Sequence, residues 1–185
     1  MRVGVFFGER FEEIEALTVV DLLRRAELDT ETVSVSHTHH VRGSHGVEIK
    51  TDLIISEVSL SSYDCLVLPG GPGHTNLEKC DLLMKYAKRF PKEGKYVAAI
   101  CASPSILGRA GLLEGKKVTC FPGYEGECKG AECTGAKAEC DGQIITGRSA
   151  GTAVDFALKI VEVLSGPETA KKLATSIHYD HYEGV

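Results

Sequence analysis

Short runs of apolar residues alternate along the chain with longer stretches whose apolar positions recur every three or four residues. The runs predict β-strands over residues 3–7, 30–36, 64–68, 96–100 and 117–121. The helical periodicity predicts helices over residues 12–26, 77–89, 101–109, 152–164 and 167–174. Because strands alternate with helices, we expect an α/β fold in which a parallel sheet is sandwiched by helices, forming one domain over residues 1–185.

Polar segments separate these elements. Residues 37–52 contain four histidines and two glycines and predict a loop with a short hairpin. A loop rich in glycine and cysteine follows the predicted strand 117–121 and extends to Gly135. Residues 136–145 predict a second hairpin that turns at Asp141-Gly142, a strong turn dipeptide. No repeat or low-complexity linker divides the chain.

Charge and hydropathy narrow the class of protein. The 185 residues are 43% hydrophobic and 25% charged, which is typical of a globular domain. A formal net charge of −5 argues against nucleic acid and anionic membranes as partners. The first apolar run is too short for a signal peptide, and no run approaches the 18 apolar residues typical of a membrane span. We therefore expect a cytoplasmic protein.

Seven cysteines are scattered along the chain, and in a reducing cytosol we expect free thiols that mostly pack as small apolar residues. Four of them, together with the histidines, raise the question of zinc: Cys120, Cys128, Cys133 and Cys140. The spacing between Cys128 and Cys133 is C-x4-C, and paired C-x2-C motifs are missing. We therefore expect no metal site and no cofactor.

Cys101 differs from the other cysteines because it directly follows the apolar run that ends at Ile100 and precedes a helix. This order resembles the nucleophile elbow of serine hydrolases, in which small residues allow a sharp strand-to-helix turn. A helix N-terminus presents free N–H groups and a positive dipole end, which favour a thiolate. A buried cysteine that only packs at the strand end is the alternative.

Two further features could complete a catalytic site around Cys101. The turn Gly70-Gly71 follows another buried strand, and its backbone N–H groups could form an oxyanion hole with the N–H of Ala102. A tight turn that merely closes the strand is the alternative. Glu15 lies on the apolar stripe of the first helix, where desolvation raises the pKa of a carboxyl and would keep it protonated.

Four blocks in order make the chain recognisable: Phe11–Ala16 with 21–26, 68–71, 98–102 and 151–158. Together they resemble the ThiJ/PfpI superfamily, in particular the branch of the human Parkinson-disease-associated protein and its bacterial homologues. The resemblance implies a flavodoxin-like, class I glutamine amidotransferase-like fold and a homodimer. It also implies that Cys101 is a reactive cysteine, that Glu15 is its protonated partner, and that Gly71 and Ala102 are oxyanion donors.

The resemblance suggests three functions. The first is a cysteine-dependent enzyme acting on small aldehydes such as methylglyoxal or glyoxal, as a glutathione-independent glyoxalase or deglycase. The second is a redox-sensing stress-response or chaperone protein that responds through oxidation of Cys101. The third, a cysteine peptidase, is weaker because Phe121 stands where several family members have a histidine, although His74 or His178 could replace it in principle. Ser103 stands where glycine is common and could narrow the pocket.

Overall fold

The computed structural model describes residues 1–182; the last three residues of the predicted domain, 183–185, lie outside the described residues. The strands are β1 (Arg2–Phe7), β2 (Asp29–Ser34), β3 (His40–Arg42), β4 (Glu48–Lys50), β5 (Leu53–Ile54), β6 (Cys65–Leu68), β7 (Tyr96–Ile100), β8 (Lys117–Val118), β9 (Glu132–Cys133), β10 (Ala138–Asp141) and β11 (Ile144–Gly147). The α-helices are α1 (Glu13–Arg25), α2 (His74–Glu78), α3 (Asp81–Arg89), α4 (Pro104–Arg109), α5 (Ala153–Ser165) and α6 (Pro167–Ser176).

Seven strands form the central sheet in the order β10-β11-β7-β6-β1-β2-β5. Every neighbouring pair is parallel except β10 with β11, so the predicted parallel sheet has one antiparallel edge strand. The hairpin predicted at Asp141-Gly142 is this edge, and Gly142 takes the left-handed conformation that the turn requires. Two small ladders, β3 with β4 and β8 with β9, lie outside the sheet. The α/β flavodoxin-like fold is thus confirmed.

Alternate side chains of the central strands are buried on opposite faces of the sheet. On β1, Val5 and Phe7 pack into the core shared with α1, α5 and α6, whereas Phe6 packs on the other face with residues of α3 and α4. On β7, Ala98 and Val97 divide between the two faces in the same way. Burial on both faces explains why these strands appear in the sequence as continuous apolar runs.

Two predicted elements differ from the structure. The helix predicted over residues 77–89 is two helices, α2 and α3, separated where Cys80 adopts an extended conformation with ψ 92°. The strand predicted over residues 117–121 stops at Val118 and pairs only with β9. Beyond it, the N–H of Thr119 donates to the side chain of Thr146 and the N–H of Phe121 donates to the carbonyl of Cys101. Those bonds replace the expected pairing with a sheet strand.

No helix within residues 1–182 combines the length and the apolar character that crossing a bilayer demands.

Candidate active site

Three segments that follow β-strands meet at the carboxyl edge of the sheet. The strands β1, β6 and β7 are adjacent and parallel, so the segments that follow them emerge side by side. Leu68 of β6 is in register with Ala99 of β7. Two residues further along the chain from each of them, beyond the strand ends, this register places Gly70 beside Cys101. The helix that follows β1 adds Glu15 to the same edge. The topology therefore brings the predicted site residues together.

The backbone of Cys101 is strained and firmly held. Its φ of +65° lies in the left-handed region, which for a residue other than glycine costs on the order of 1–3 kcal/mol. The N–H of Cys101 donates to the carbonyl of Gly147 at 2.9 Å, and its own carbonyl accepts from the N–H of Phe121 at 2.8 Å. These bonds hold the sharp turn between β7 and α4, which is the geometry expected of a nucleophile elbow.

The side chain of Glu15 is fully buried, with no exposed surface. Its Oε2 accepts a hydrogen bond of 2.9 Å from the N–H of Gly70, and its carboxyl also interacts with the Cys101 side chain. The other oxygen, Oε1, has no nitrogen or oxygen partner among residues 1–182. Burial raises the pKa of Glu15 to about 7, against hydrogen bonds from Cys101 and Gly70 that lower it.

The half-buried sulfur of Cys101 experiences opposing influences. Burial, the negative charge of ionised Glu15 and the hydrogen bond with Glu15 all raise the pKa of the Cys101 thiol. The backbone N–H groups of Gly71 and Ala102 donate hydrogen bonds that lower it. The carboxyl therefore opposes the lowering that a helix N-terminus alone predicts. Protonation of Glu15 removes this repulsion, so the two side chains titrate as a pair.

Both positions of the Gly70-Gly71 turn require glycine. A Cβ on Gly70 would lie 2.6 Å from Oε2 of Glu15 and 2.7 Å from Cβ of Cys101. Gly71 has a φ of +91°, and a Cβ there would lie 2.5 Å from the backbone nitrogen of Glu12. The sequence predicts the turn as a source of N–H donors but does not reveal that Gly70 positions the carboxyl. The Gly-Gly pair itself was the only signal.

The other candidates from the sequence occupy supporting positions. His74 is buried, and its Nδ1 lies 2.9 Å from the carbonyl oxygen of Gly71. His178 lies in the turn that follows α6. The hydroxyl of Ser103 is buried and donates to the carbonyl of Pro69 at 2.6 Å. Ser103 thus connects the start of α4 to the glycine turn instead of projecting from the site.

The hairpin of β3 and β4 packs against the start of α1, a contact that the sequence did not predict. The N–H of His45 donates to Oε1 of Glu13 at 2.7 Å, and its Nδ1 lies 3.0 Å from Oε2. Burial would raise the pKa of Glu13, but the hydrogen bonds from His45 and Ser44 outweigh it and lower the pKa to about 2. An ionised Glu13 therefore anchors the hairpin two residues before Glu15.

Known proteins share this arrangement of sequence and fold. A model of the DJ-1/PfpI family matches residues 1–163. The Arabidopsis thaliana protein DJ-1 homolog B is 37% identical over 166 residues, which are 88% of this chain and 38% of the relative. The Caenorhabditis elegans protein named glutathione-independent glyoxalase DJR-1.2 is 33% identical over 167 residues, 89% of each chain.

The solved structure of oxidized Toxoplasma gondii DJ-1 superposes with a TM-score of 0.92 at 37% identity, covering 97% of this chain and 99% of that one. This chain spans about two fifths of the length of the Arabidopsis relative. The match to the family model covers most of the chain and agrees with the topology, so the predicted resemblance is confirmed. The chain belongs to the DJ-1/PfpI family.

Proposed function

We propose that this protein converts small reactive dicarbonyl compounds, such as methylglyoxal or glyoxal, into hydroxy acids, with Cys101 as nucleophile and Glu15 as acid and base. The observation that supports this most strongly is the buried carboxyl of Glu15, whose pKa is raised to about 7 and which interacts with the side chain of the half-buried Cys101. The name of the C. elegans relative, a glutathione-independent glyoxalase, supports the same reaction class.

The reactive form carries one proton on Glu15 and none on Cys101. In that form the sulfur is no longer repelled by a charged carboxylate, and the N–H groups of Gly71 and Ala102 stabilise it. Oε1 of Glu15 lacks a nitrogen or oxygen partner among residues 1–182, so it can carry the proton without losing an existing bond. A buried ionised carboxylate with an unbonded oxygen would be costly, which favours the protonated carboxyl.

The reaction on methylglyoxal follows from this proton arrangement. The Cys101 sulfur forms a bond to the aldehyde carbon, and Glu15 gives its proton to the resulting oxyanion, which yields a hemithioacetal. The carboxylate of Glu15 then removes the hydrogen from that carbon, and a proton is returned to the neighbouring carbon to give a thioester. Water then breaks the carbon–sulfur bond and releases lactate and the free thiol. The overall reaction adds one water molecule to methylglyoxal to give lactate.

The backbone donors stabilise charge during this sequence. Gly71 and Ala102 each direct an N–H toward the sulfur, the position beside which a substrate oxygen becomes negative on attack. Gly71 lies in the glycine turn after β6 and Ala102 lies in the turn between β7 and α4, so the backbone places both donors before the substrate arrives. Phe121 occupies the position where a peptidase histidine is found in several family members, which is why we do not favour a peptidase.

Two broader expectations accompany the proposal. We infer that the protein works as a homodimer in the cytoplasm without a cofactor, on the strength of the family resemblance and of the chain's net charge of −5. Light scattering of the purified protein gives the oligomeric state directly. A monomeric mass at working concentration would contradict the dimer without affecting the chemistry assigned to Cys101.

Turnover of methylglyoxal by a Glu15→Gln variant tests the acid–base role. We expect kcat to fall at least about 100-fold, because proton transfer by a positioned side chain contributes about 10²–10⁴-fold. The exposed Glu168 on α6 gives the matched control, and Glu168→Gln should leave kcat unchanged. A Glu15→Gln enzyme with kcat within threefold of the parent would exclude Glu15 from the proton transfers.

A second candidate function is redox sensing through Cys101. The solved T. gondii relative is an oxidized form, and the donors around Cys101 would also stabilise a sulfinate, the product of two oxidation steps by peroxide. We expect limiting peroxide to oxidise Cys101 before the other six cysteines, as measured by peptide mapping. Uniform oxidation of all seven would exclude this function.

A further inference from the structure

Three cysteines outside the active site converge in the loop between α4 and β10. Cys120 follows β8, Cys128 ends the short turn Glu125–Glu127, and Cys133 lies in β9. Their sulfur atoms all lie within 4.8 Å of one another. All three are free thiols, and the Cys120 thiol makes hydrogen bonds with the other two.

Backbone contacts hold two of these cysteines in place. The pairing of β8 with β9 sets Cys133 opposite Val118. The N–H of Cys128 donates to the carbonyl of Glu125, and the carbonyl of Cys128 accepts from Ala131. Backbone hydrogen bonds and strand pairing within the chain therefore position Cys128 and Cys133.

The loop also packs closely on α4. A Cβ on Gly108 would lie 2.7 Å from the Cα of Cys128 and 2.2 Å from the carbonyl oxygen of Glu127. Only glycine at position 108 therefore allows the loop to lie this near the helix. Cys120 is anchored by a separate contact, because the next residue, Phe121, donates its N–H to the carbonyl of Cys101.

The burial of the cluster leaves one direction of access. Cys120 and Cys128 are 4% and 2% exposed, whereas Cys133 is half-buried. Cys133 is therefore the member of the cluster that solvent reaches most readily. Buried cysteines often pack as small apolar side chains, but packing alone does not require three sulfur atoms from separate backbone segments to face one another.

The distances match a metal ion bound by three thiolates. Sulfur ligands about 2.3 Å from one ion lie roughly 4 Å apart in trigonal or tetrahedral geometry, inside the observed limit of 4.8 Å. Thiolate ligands select soft ions, Cu(I) and Zn²⁺ above all. Within residues 1–182 no histidine, aspartate or glutamate joins the group, so Cu(I) would be complete with three ligands, whereas Zn²⁺ would add a water molecule.

We propose that Cys120, Cys128 and Cys133 form a tris-thiolate site for one soft metal ion, Cu(I) or Zn²⁺. Each thiol releases its proton to solvent on binding, and no electron is transferred. The C-x4-C spacing is a weak signal in the sequence because Cys120 reaches the site only through the fold of the loop. None of the three thiols belongs to the group of residues assigned to the aldehyde chemistry at Cys101.

Metal titration of the reduced, metal-free chain in a Cys101→Ser background tests the proposal without interference from the catalytic thiol. Cu(I) and Zn²⁺ are each competed against a chromophoric chelator. We expect one ion per chain, and an affinity at least about 100-fold weaker after Cys133→Ser, the ligand with the least buried side chain. The exposed Cys140 provides the control: Cys140→Ser should leave the affinity unchanged.

A second measurement needs no change to the three ligands. Loading with the bound ion should protect Cys120, Cys128 and Cys133 from alkylation while Cys80 and Cys140 remain reactive, as read by peptide mapping. The proposal is overturned if Cys133→Ser binds the ion as tightly as its parent, or if protection falls on other cysteines. It is also overturned if the reduced chain binds neither ion and mild oxidant simply joins two of the three thiols in a disulfide.

Discussion

The backbone N–H of Gly70 donates a hydrogen bond of 2.9 Å to the carboxyl of Glu15, and this bond fixes the carboxyl beside Cys101. The glycine turn thus does more than supply an oxyanion donor. Gly70 holds the carboxyl, and the N–H of Gly71 stabilises the ionised Cys101 sulfur. A single turn after β6 therefore arranges both halves of the proposed acid–nucleophile pair.

Replacing Gly70 with alanine should disrupt the site through geometry alone. The new Cβ would lie 2.6 Å from Oε2 of Glu15 and 2.7 Å from Cβ of Cys101, so one of them must move. We expect kcat/KM for methylglyoxal to fall at least about 100-fold, since a misplacement of about 1 Å can cost that much. The matched control is Gly126→Ala, because a Cβ on Gly126 would meet nothing within 4 Å. Equal activity of the two variants would contradict this role of Gly70.

The raised pKa of Glu15 makes a prediction about stability and pH. The pKa is about 7 in the folded chain and 4.5 in the unfolded chain. Below pH 4.5 the carboxyl is protonated in both, so the pKa difference does not lower the free energy of unfolding. Between pH 4.5 and pH 7 the carboxyl ionises in the unfolded chain but stays protonated in the folded chain, which favours the unfolded state. The folded state then loses on the order of 3 kcal/mol of stability relative to acid conditions.

A Glu15→Gln variant removes this titration and should show the effect directly. We expect the unfolding free energy of the variant to gain about 2–3 kcal/mol relative to the parent between pH 5 and pH 8. Urea denaturation at the two pH values measures the difference. A difference between parent and variant that does not change with pH would show that Glu15 titrates near its ordinary value.

The left-handed backbone of Cys101 gives a third prediction, which concerns stability alone. At an ordinary helical position such as the exposed Lys171 of α6, glycine is about 1 kcal/mol less stable than alanine. At Cys101 the φ of +65° reverses the preference, so Cys101→Gly should be about 1 kcal/mol more stable than Cys101→Ala. Urea unfolding measures the free energy of unfolding of Lys171→Gly against Lys171→Ala and of Cys101→Gly against Cys101→Ala. The same order at both positions would mean that the turn is not strained.

The sequence was sufficient to predict the sheet because its central strands are buried on both faces. Leu66, Val67 and Leu68 are all apolar for that reason, and so are Val97 to Ile100, so their runs are unambiguous. The apolar run that ends at Ile100 also located Cys101, since the residue after a buried strand must lie at the edge of the sheet. Glu15 was predictable because a carboxyl on an apolar helix stripe is unusual.

Other features depend on contacts between distant segments, which no local pattern encodes. The segment after Val118 leaves its predicted strand because Thr119 and Phe121 donate their N–H groups to Thr146 and Cys101. The role of Gly70 depends on α1 and β6 meeting at one edge. The convergence of Cys120 with Cys128 and Cys133 requires the whole loop to fold onto α4. Each contact joins residues whose partners become known only in three dimensions.

The measurement that tests the central claim most directly is the rate at which highly purified protein converts methylglyoxal to lactate, before and after Cys101→Ser. We expect the parent to produce lactate catalytically and Cys101→Ser to show no turnover above the uncatalysed rate, while Cys140→Ser, which changes an exposed thiol, retains the parent rate. Lactate formation by Cys101→Ser at the parent rate would contradict the assignment of Cys101 as the nucleophile.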